Sequence, residues 1–271
     1  MRSHLPTRNL TFVYARTFAY TNVCARFENT ESSKPFGSWP LAYAELIRTR
    51  ISEVAARLTT KYGDPAGDDP DLQLVFEGLS ATCCRTCAVG ELADPDNPDS
   101  RKSIRITSDN IKPKSRGYIG LHTSNPLDAP LMQPNYLAEA DDVKILIEGI
   151  RVIQSLGNTT VLREKYGTEL IKENYGDCEE QYTYDSDEFW ECAVRYATGP
   201  ENHQAGSCKM GPASDPLAVV DPELQVHGIE GLRVADASVM PVLISGNPHA
   251  TIVMIGERAA DFIKQKQTTT Y

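Results

Sequence analysis

Apolar positions recur at helical spacing along some stretches of the chain and alternate with polar ones along others. From Trp39 the run WPLAYAELIRTRISEVAARLTTKYG places Leu41, Ala44, Leu46, Ile47, Ile51, Val54, Ala55 and Leu58 at that spacing and closes at Gly63, which predicts an amphipathic helix. Val143, Leu146, Ile147, Ile150 and Ile153 form a second helical face. Asp141 and Asp142 suit that helix's positive N-terminus, and Gly157 stops it. A third helix is predicted from Asp187 through EFWECAVRYAT, with Ser186 or Asp185 as its cap. The short apolar run LQLVF, Leu72 to Phe76, reads as a strand between turn residues. SIRIT and YIGLH alternate with KSRG between them, predicting antiparallel strands that end in a proline-rich excursion. Near the C-terminus LQV, a turn at Gly228 and Gly231, and a buried strand LRVAD ending at Asp236 precede a turn at Gly246, Asn247 and Pro248. A helix is then predicted from about His249 to Lys264. No internal repeat or low-complexity tract interrupts this order.

Composition narrows the function classes. The 271 residues are 41% hydrophobic and 24% charged, the balance of a soluble globular protein with a sizeable core. A net charge of −10 opposes attraction to nucleic acid or to anionic membrane, so no nucleic-acid partner is expected. No apolar run is long enough to span a bilayer. The first residues carry Arg2, Arg8, Arg16 and Arg26 and no acid before Glu28. Arg16 interrupts the apolar run that a secretory signal needs, the composition also suits a transit peptide, and residues 1–36 are read as a poorly structured leader.

The seven cysteines are an odd number spread over a long chain, not a small disulfide scaffold. CCRTC holds one C-x-x-C, Cys84 to Cys87, without the second ligand pair that structural zinc requires, so no metal is expected and the cluster reads as a surface loop with incidental or disulfide-paired cysteines.

Two histidines stand apart from His4, His122 and His227. His203 lies in NHQAGSCKMGP and His249 in SGNPHATIVMIGE, each in a glycine-containing turn beside an apolar segment, a setting that suits proton transfer. Rival chemistries exist on paper. Cys208 with His203 would be a nucleophile and base, and Ser238 or Ser245 with His203 and Asp236 a hydrolase triad, but no oxyanion-hole motif and no G-x-S-x-G elbow accompanies them.

The segment from His203 to Ile263, with HQAGSCKMGP, LRVADASVMP and SGNPHATIVMIGERAADFI, resembles the C-terminal signature of the glucose-methanol-choline (GMC) flavoprotein oxidoreductases, most like their insect glucose-dehydrogenase-type branch. KPKSRGYIGLHTSNPLDAPLMQPNYL resembles their substrate-domain strands, and the resemblance runs from about Gly67 to Gln265. It implies an α+β fold: a substrate-binding domain over 37–200, with an antiparallel sheet backed by helices, then a catalytic and FAD-domain segment over 201–265 and a tail over 266–271. It also implies FAD as cofactor and an alcohol or sugar as substrate, with His203 as the catalytic base and His249 as its companion. Asp236 and Ala237 would approach the FAD pyrophosphate, and His249, Ala250 and Thr251 the flavin ring. Secretion is a property that the resemblance suggests, without a clear signal peptide to support it.

One departure stands beside the match. Of the 18 glycines no two are separated by a single residue, so the G-x-G-x-x-G turn that binds the ADP half of FAD has no counterpart. The expected partner is therefore the N-terminal half of the flavin domain. The chain then reads as a C-terminal fragment, a mis-started gene product or a degenerate relative, and the alternative function is a non-catalytic remnant that binds or supports a partner.

Overall fold

The computed structural model describes residues 52–64, 66, 68–80, 103–165 and 168–268, together with short strands at 12–13, 17–19 and 24–26. CCRTC and residues 39–51 lie outside the described residues. The fold is α+β, with helices and antiparallel sheets, and divides into two compact units interleaved along the chain. One unit comprises residues 1–17, 111–142 and 200–271, and the other 18–110 and 143–199.

The second unit is built on a sheet. Its strands are β2 (Thr17–Ala19), β3 (Cys24–Arg26), β4 (Ser52–Leu58), β5 (Leu72–Ser80), β6 (Ser103–Asn110), β9 (Glu169–Ile171) and β10 (Thr198–Pro200). They run in the order β10-β2-β6-β3-β9, with β5 also on β6 and β4 on β5. Helix α1 (Ala140–Gly157) buries Ile145 and Ile153 against Leu72, Leu74 and Ile106 of the sheet. Its close seat depends on Gly149, where an added Cβ would stand 2.1 Å from Ser108 Oγ. Beyond the sheet, the single-turn helix α2 (Cys178–Gln181) is tied to α3 (Asp187–Ala197) by a Cys178–Cys192 disulfide. Ser186 caps α3 by accepting from Phe189 N–H at 3.1 Å, as its position predicts.

Residues 52–58 correct the predicted helix over Trp39–Gly63. They form β4, paired antiparallel to β5 with Leu58 opposite Leu72 and Val54 opposite Phe76. The same residues satisfy a period of two, since Ala56 is half-buried between exposed Ala55 and Arg57. Asp71 closes the returning loop by accepting from Thr60 N–H at 2.7 Å and Thr60 Oγ1 at 2.6 Å. Pairing with a neighbouring strand outweighs a helical propensity that is only a weak prior.

In the other unit, β7 (Gly117–Gly120) lies between β1 (Phe12–Val13) and β8 (Leu131–Gln133). β7 and β6 therefore belong to different sheets, which corrects the expected pairing of YIGLH with SIRIT. The redirecting residue is Asp142, fully buried, which accepts from Lys114 N–H at 2.7 Å and Ser115 N–H at 2.8 Å and holds KSRG as a crossing. LRVAD also departs from the pattern. It forms only an isolated bridge between Gln225 and Arg233, with Leu232 exposed, because the bend at Gly228 and Gly231, both at positive φ, leaves too short a run to build a strand.

Candidate active site

Residues 203–262 share a core of Ala205, Val220, Leu224, Val239, Met240, Leu243, Ile255 and Ala259. Three pieces that carry the candidate residues are anchored there: the His203 turn through Ala205, a 3-10 turn at Ala237–Val239, and helix α4 (His249–Thr268) through Ile255 and Ala259.

The first two pieces are also hydrogen-bonded directly. Gly206 N–H donates to Ala237 O at 3.3 Å, Cys208 N–H to Ser238 O at 2.9 Å and Met210 N–H to Val239 O at 2.8 Å. The turn is closed by Asp236, whose carboxylate accepts from Ser238 N–H at 2.7 Å. Gly206 has φ 88°, a conformation costly for any other residue, and it lets the chain leave His203 and enter this ladder.

His203 is half-buried, with Nε2 3.8 Å from Glu201 Oε1. That distance is too long for a hydrogen bond, and the contact is an ion pair only when the imidazole is protonated. Cys208 is a free cysteine of intermediate exposure whose backbone serves the ladder. Downstream, Lys209 Nζ meets Asp215 Oδ2 at 2.7 Å, and Asp215 also accepts from Leu217 N–H at 2.9 Å. Hydrogen bonds from Lys209 and the Leu217 backbone hold the Asp215 carboxyl below its usual range. His227 Nε2 lies 3.0 Å from Gly211 O and has a structural task in the same loop.

His249 is the exposed first residue of α4, after buried Pro248. Exposed Ala250 and half-buried Thr251 follow in the first turn, where backbone N–H groups lack helical acceptors and the helix end is positive. The outward face of the next turn is apolar, with Val253 51% and Met254 55% exposed, whereas Glu257, Arg258 and Asp261 make the later outward face charged. A flat, partly apolar anionic cofactor fits the start of this helix. Ala250 leaves the backbone approachable, Val253 and Met254 offer apolar area, and the N–H groups favour negative charge. Asp236 Oδ1 is committed to closing its own turn. No group of three or more metal-ligating side chains occurs among the described residues, and no described helix is long and apolar enough to cross a membrane.

The fold is shared with flavoprotein oxidases. A variant formate oxidase of Aspergillus oryzae superposes with a TM-score of 0.66 at 20% identity, covering 98% of this chain and 49% of that one. The family model for GMC oxidoreductases matches residues 113–256, and the chain belongs to that family, whose members are FAD-dependent. Glucose dehydrogenase [FAD, quinone] of Drosophila melanogaster is 51% identical over 217 residues, 80% of this chain and 34% of its own length. Alcohol dehydrogenase [acceptor] of Pseudomonas putida is 37% identical over 156 residues, 58% of this chain and 26% of its own. The chain thus spans about a quarter to a third of the length of the curated relatives it matches.

Sequence reasoning had passed over Glu201, the Lys209–Asp215 pair and the Cys178–Cys192 disulfide. Asp215 announced itself weakly, as the aspartate of an S-D-P-L turn. Glu201 and the disulfide carried no signal beyond residue type.

Proposed function

We propose that this chain is the substrate-binding and proton-handling C-terminal part of an FAD-dependent oxidoreductase acting on the CH–OH group of an alcohol or sugar. The observation that carries the reading is the ladder from Gly206–Met210 to Ala237–Val239, which fastens the His203 turn to the same core as the helix that begins with His249. His203 takes the proton of the substrate hydroxyl, with the Glu201 carboxyl 3.8 Å from its Nε2. His249, at the positive end of α4, steadies the developing alkoxide oxygen. FAD, when bound, supplies the hydride acceptor. His249, Ala250 and Thr251 would line its ring and the Asp236–Ala237 turn its pyrophosphate. A flavin-binding half is the partner that would complete the site.

Joining the chain to such a half in one polypeptide tests this. His203→Ala should lower turnover by about 10²–10⁴-fold, the usual worth of a positioned base, while FAD remains bound. Parallel loss of turnover and of FAD would assign His203 a structural role instead. A second reading, a non-catalytic family remnant, draws on the absent glycine fingerprint and on the exposed Val253 and Met254 as a partner-binding face. Stoichiometric FAD and turnover in the joined protein would exclude it.

A further inference from the structure

Helix α1 ends in Gly157, and Asn158-Thr159-Thr160 follows, an Asn-x-Thr sequon with no proline in the middle. All three residues are exposed. Gly157 is buried so tightly that an added Cβ would stand 2.7 Å from Leu170 Cδ2, and the chain emerges into solvent at the next residue.

The side chain of Asn158 has no structural task among the described residues. Asparagine commonly ends helices in the left-handed conformation, but Asn158 is not among the residues at positive φ. The helix is closed by other groups: Asn158 backbone N–H donates to Gln154 O at 3.0 Å, and Thr159 donates to Leu156 O through its N–H at 3.1 Å and its Oγ1 at 2.9 Å. The Asn158 carboxamide and the Thr160 hydroxyl have no hydrogen-bond partner among the described residues. A second, independent feature of the same unit is the Cys178–Cys192 disulfide, a bond that persists in oxidising compartments such as the secretory lumen, where sequons are glycosylated.

We propose that Asn158 is an N-glycosylation site. Its Nδ2 attacks the anomeric carbon of a polyprenyl-pyrophosphate-linked oligosaccharide. The C–N bond forms, the bond from that carbon to the pyrophosphate oxygen breaks, the carboxamide gives up one proton and polyprenyl pyrophosphate leaves. No electrons change hands. The exposed Thr160 hydroxyl is the recognition element for the transferase. A glycan here keeps the end of α1 in solvent and unavailable to a partner chain. The site is independent of the oxidoreductase reading.

The test is translation of the full chain, carrying an added cleavable secretion signal, into endoplasmic-reticulum vesicles. Untranslocated chains are removed by external protease before analysis. The chain holds one other Asn-x-Thr, Asn9-Leu10-Thr11, so the background is Asn9→Gln. One glycosidase-sensitive mass step is expected, lost in Asn158→Gln and in Thr160→Ala and retained in Thr160→Ser. Glycosidase release should leave aspartate at position 158. Because the transfer acts on the emerging chain, a variant that folds poorly still reports. Protease-protected Asn9→Gln chains without the mass step would overturn the proposal.

Discussion

Cys208 donates its backbone N–H to the carbonyl oxygen of Ser238 at 2.9 Å, thirty residues further along the chain. That bond and its two neighbours make the His203 turn dependent on the 3-10 turn, and the 3-10 turn depends on Val239 and Met240 beneath it. Position and stability should therefore separate by residue. Met240→Ala empties a buried site and should cost about 2–5 kcal/mol, whereas His203→Ala, half-buried at the edge, should stay within about 1 kcal/mol. Urea unfolding of the two variants measures the contrast. Equal costs would mean that His203 is a packing residue.

How much of this was legible in the sequence depended on how local its cause was. Helix α1, the Ser186 cap and the start of α4 follow from spacing and from neighbours within a turn, and the structure has them where the pattern puts them. β4 was misread because SEVAARL suits both periods and the decision is made by β5, more than ten residues away. The separation of β6 from β7 turns on Asp142, which stands in the first turn of α1 as its pattern predicts and whose carboxylate also binds the Lys114 and Ser115 backbone, a long-range contact that no local pattern shows. The two histidine turns were legible through motif alone. The ladder joining the first of them to Ala237–Val239 was not, since it is made by backbone groups that any residues possess.

Asp185 should make the second unit sensitive to acid. Burial works to raise its carboxyl, but hydrogen bonds from Gln154 at 2.7 Å and Trp190 at 2.6 Å, with the Arg151 guanidinium at 2.6 Å, outweigh it and hold the carboxyl below its usual range. A carboxyl depressed by folding contributes stability above its unfolded value, near pH 3.9, and loses that contribution as pH falls through the lower folded value. Asp185→Asn keeps a residue that tolerates the φ of 69° found there. It should be less stable than wild type at neutral pH by up to about 1 kcal/mol, a small value because the pair is partly exposed and screened. The difference should shrink in acid below about pH 4. Urea midpoints at both pH values decide it, and a gap that is the same at both would refute the role of the charge.

The disulfide should matter through the unfolded chain. Cys178 and Cys192 are 14 residues apart, and closing a loop of that size stabilises by about 3 kcal/mol in the chain-entropy description. Replacing both with serine, so that neither half of the pair is left as a thiol, should cost about 2–4 kcal/mol. Adding reductant should lower wild type to the double variant's stability and leave the variant unmoved. A reductant effect on the variant would trace the sensitivity to other cysteines.

FAD retention is the sharpest measure of what these residues can do alone. α4 offers one helix N-terminus, and the Asp236 turn spends a carboxylate oxygen on its own closure. In dinucleotide folds the pyrophosphate is also held by N–H groups of a glycine-rich turn, and this sequence has no two glycines separated by a single residue, as the G-x-G start of such a turn requires. Each missing hydrogen bond to a charged oxygen is worth roughly 1.5–3 kcal/mol. Losing two or three of them lowers affinity by several powers of ten, at about tenfold per 1.4 kcal/mol. The 271-residue chain, purified without a partner, should therefore be colourless and should release added FAD on gel filtration. Adding a flavin-binding half should restore the yellow band, and His249→Ala should then perturb the flavin spectrum more than His203→Ala, because His249 lies in the helix turn assigned to the ring. A stoichiometric flavin band in the chain by itself would show that the start of α4 and the Asp236 turn suffice without a glycine turn.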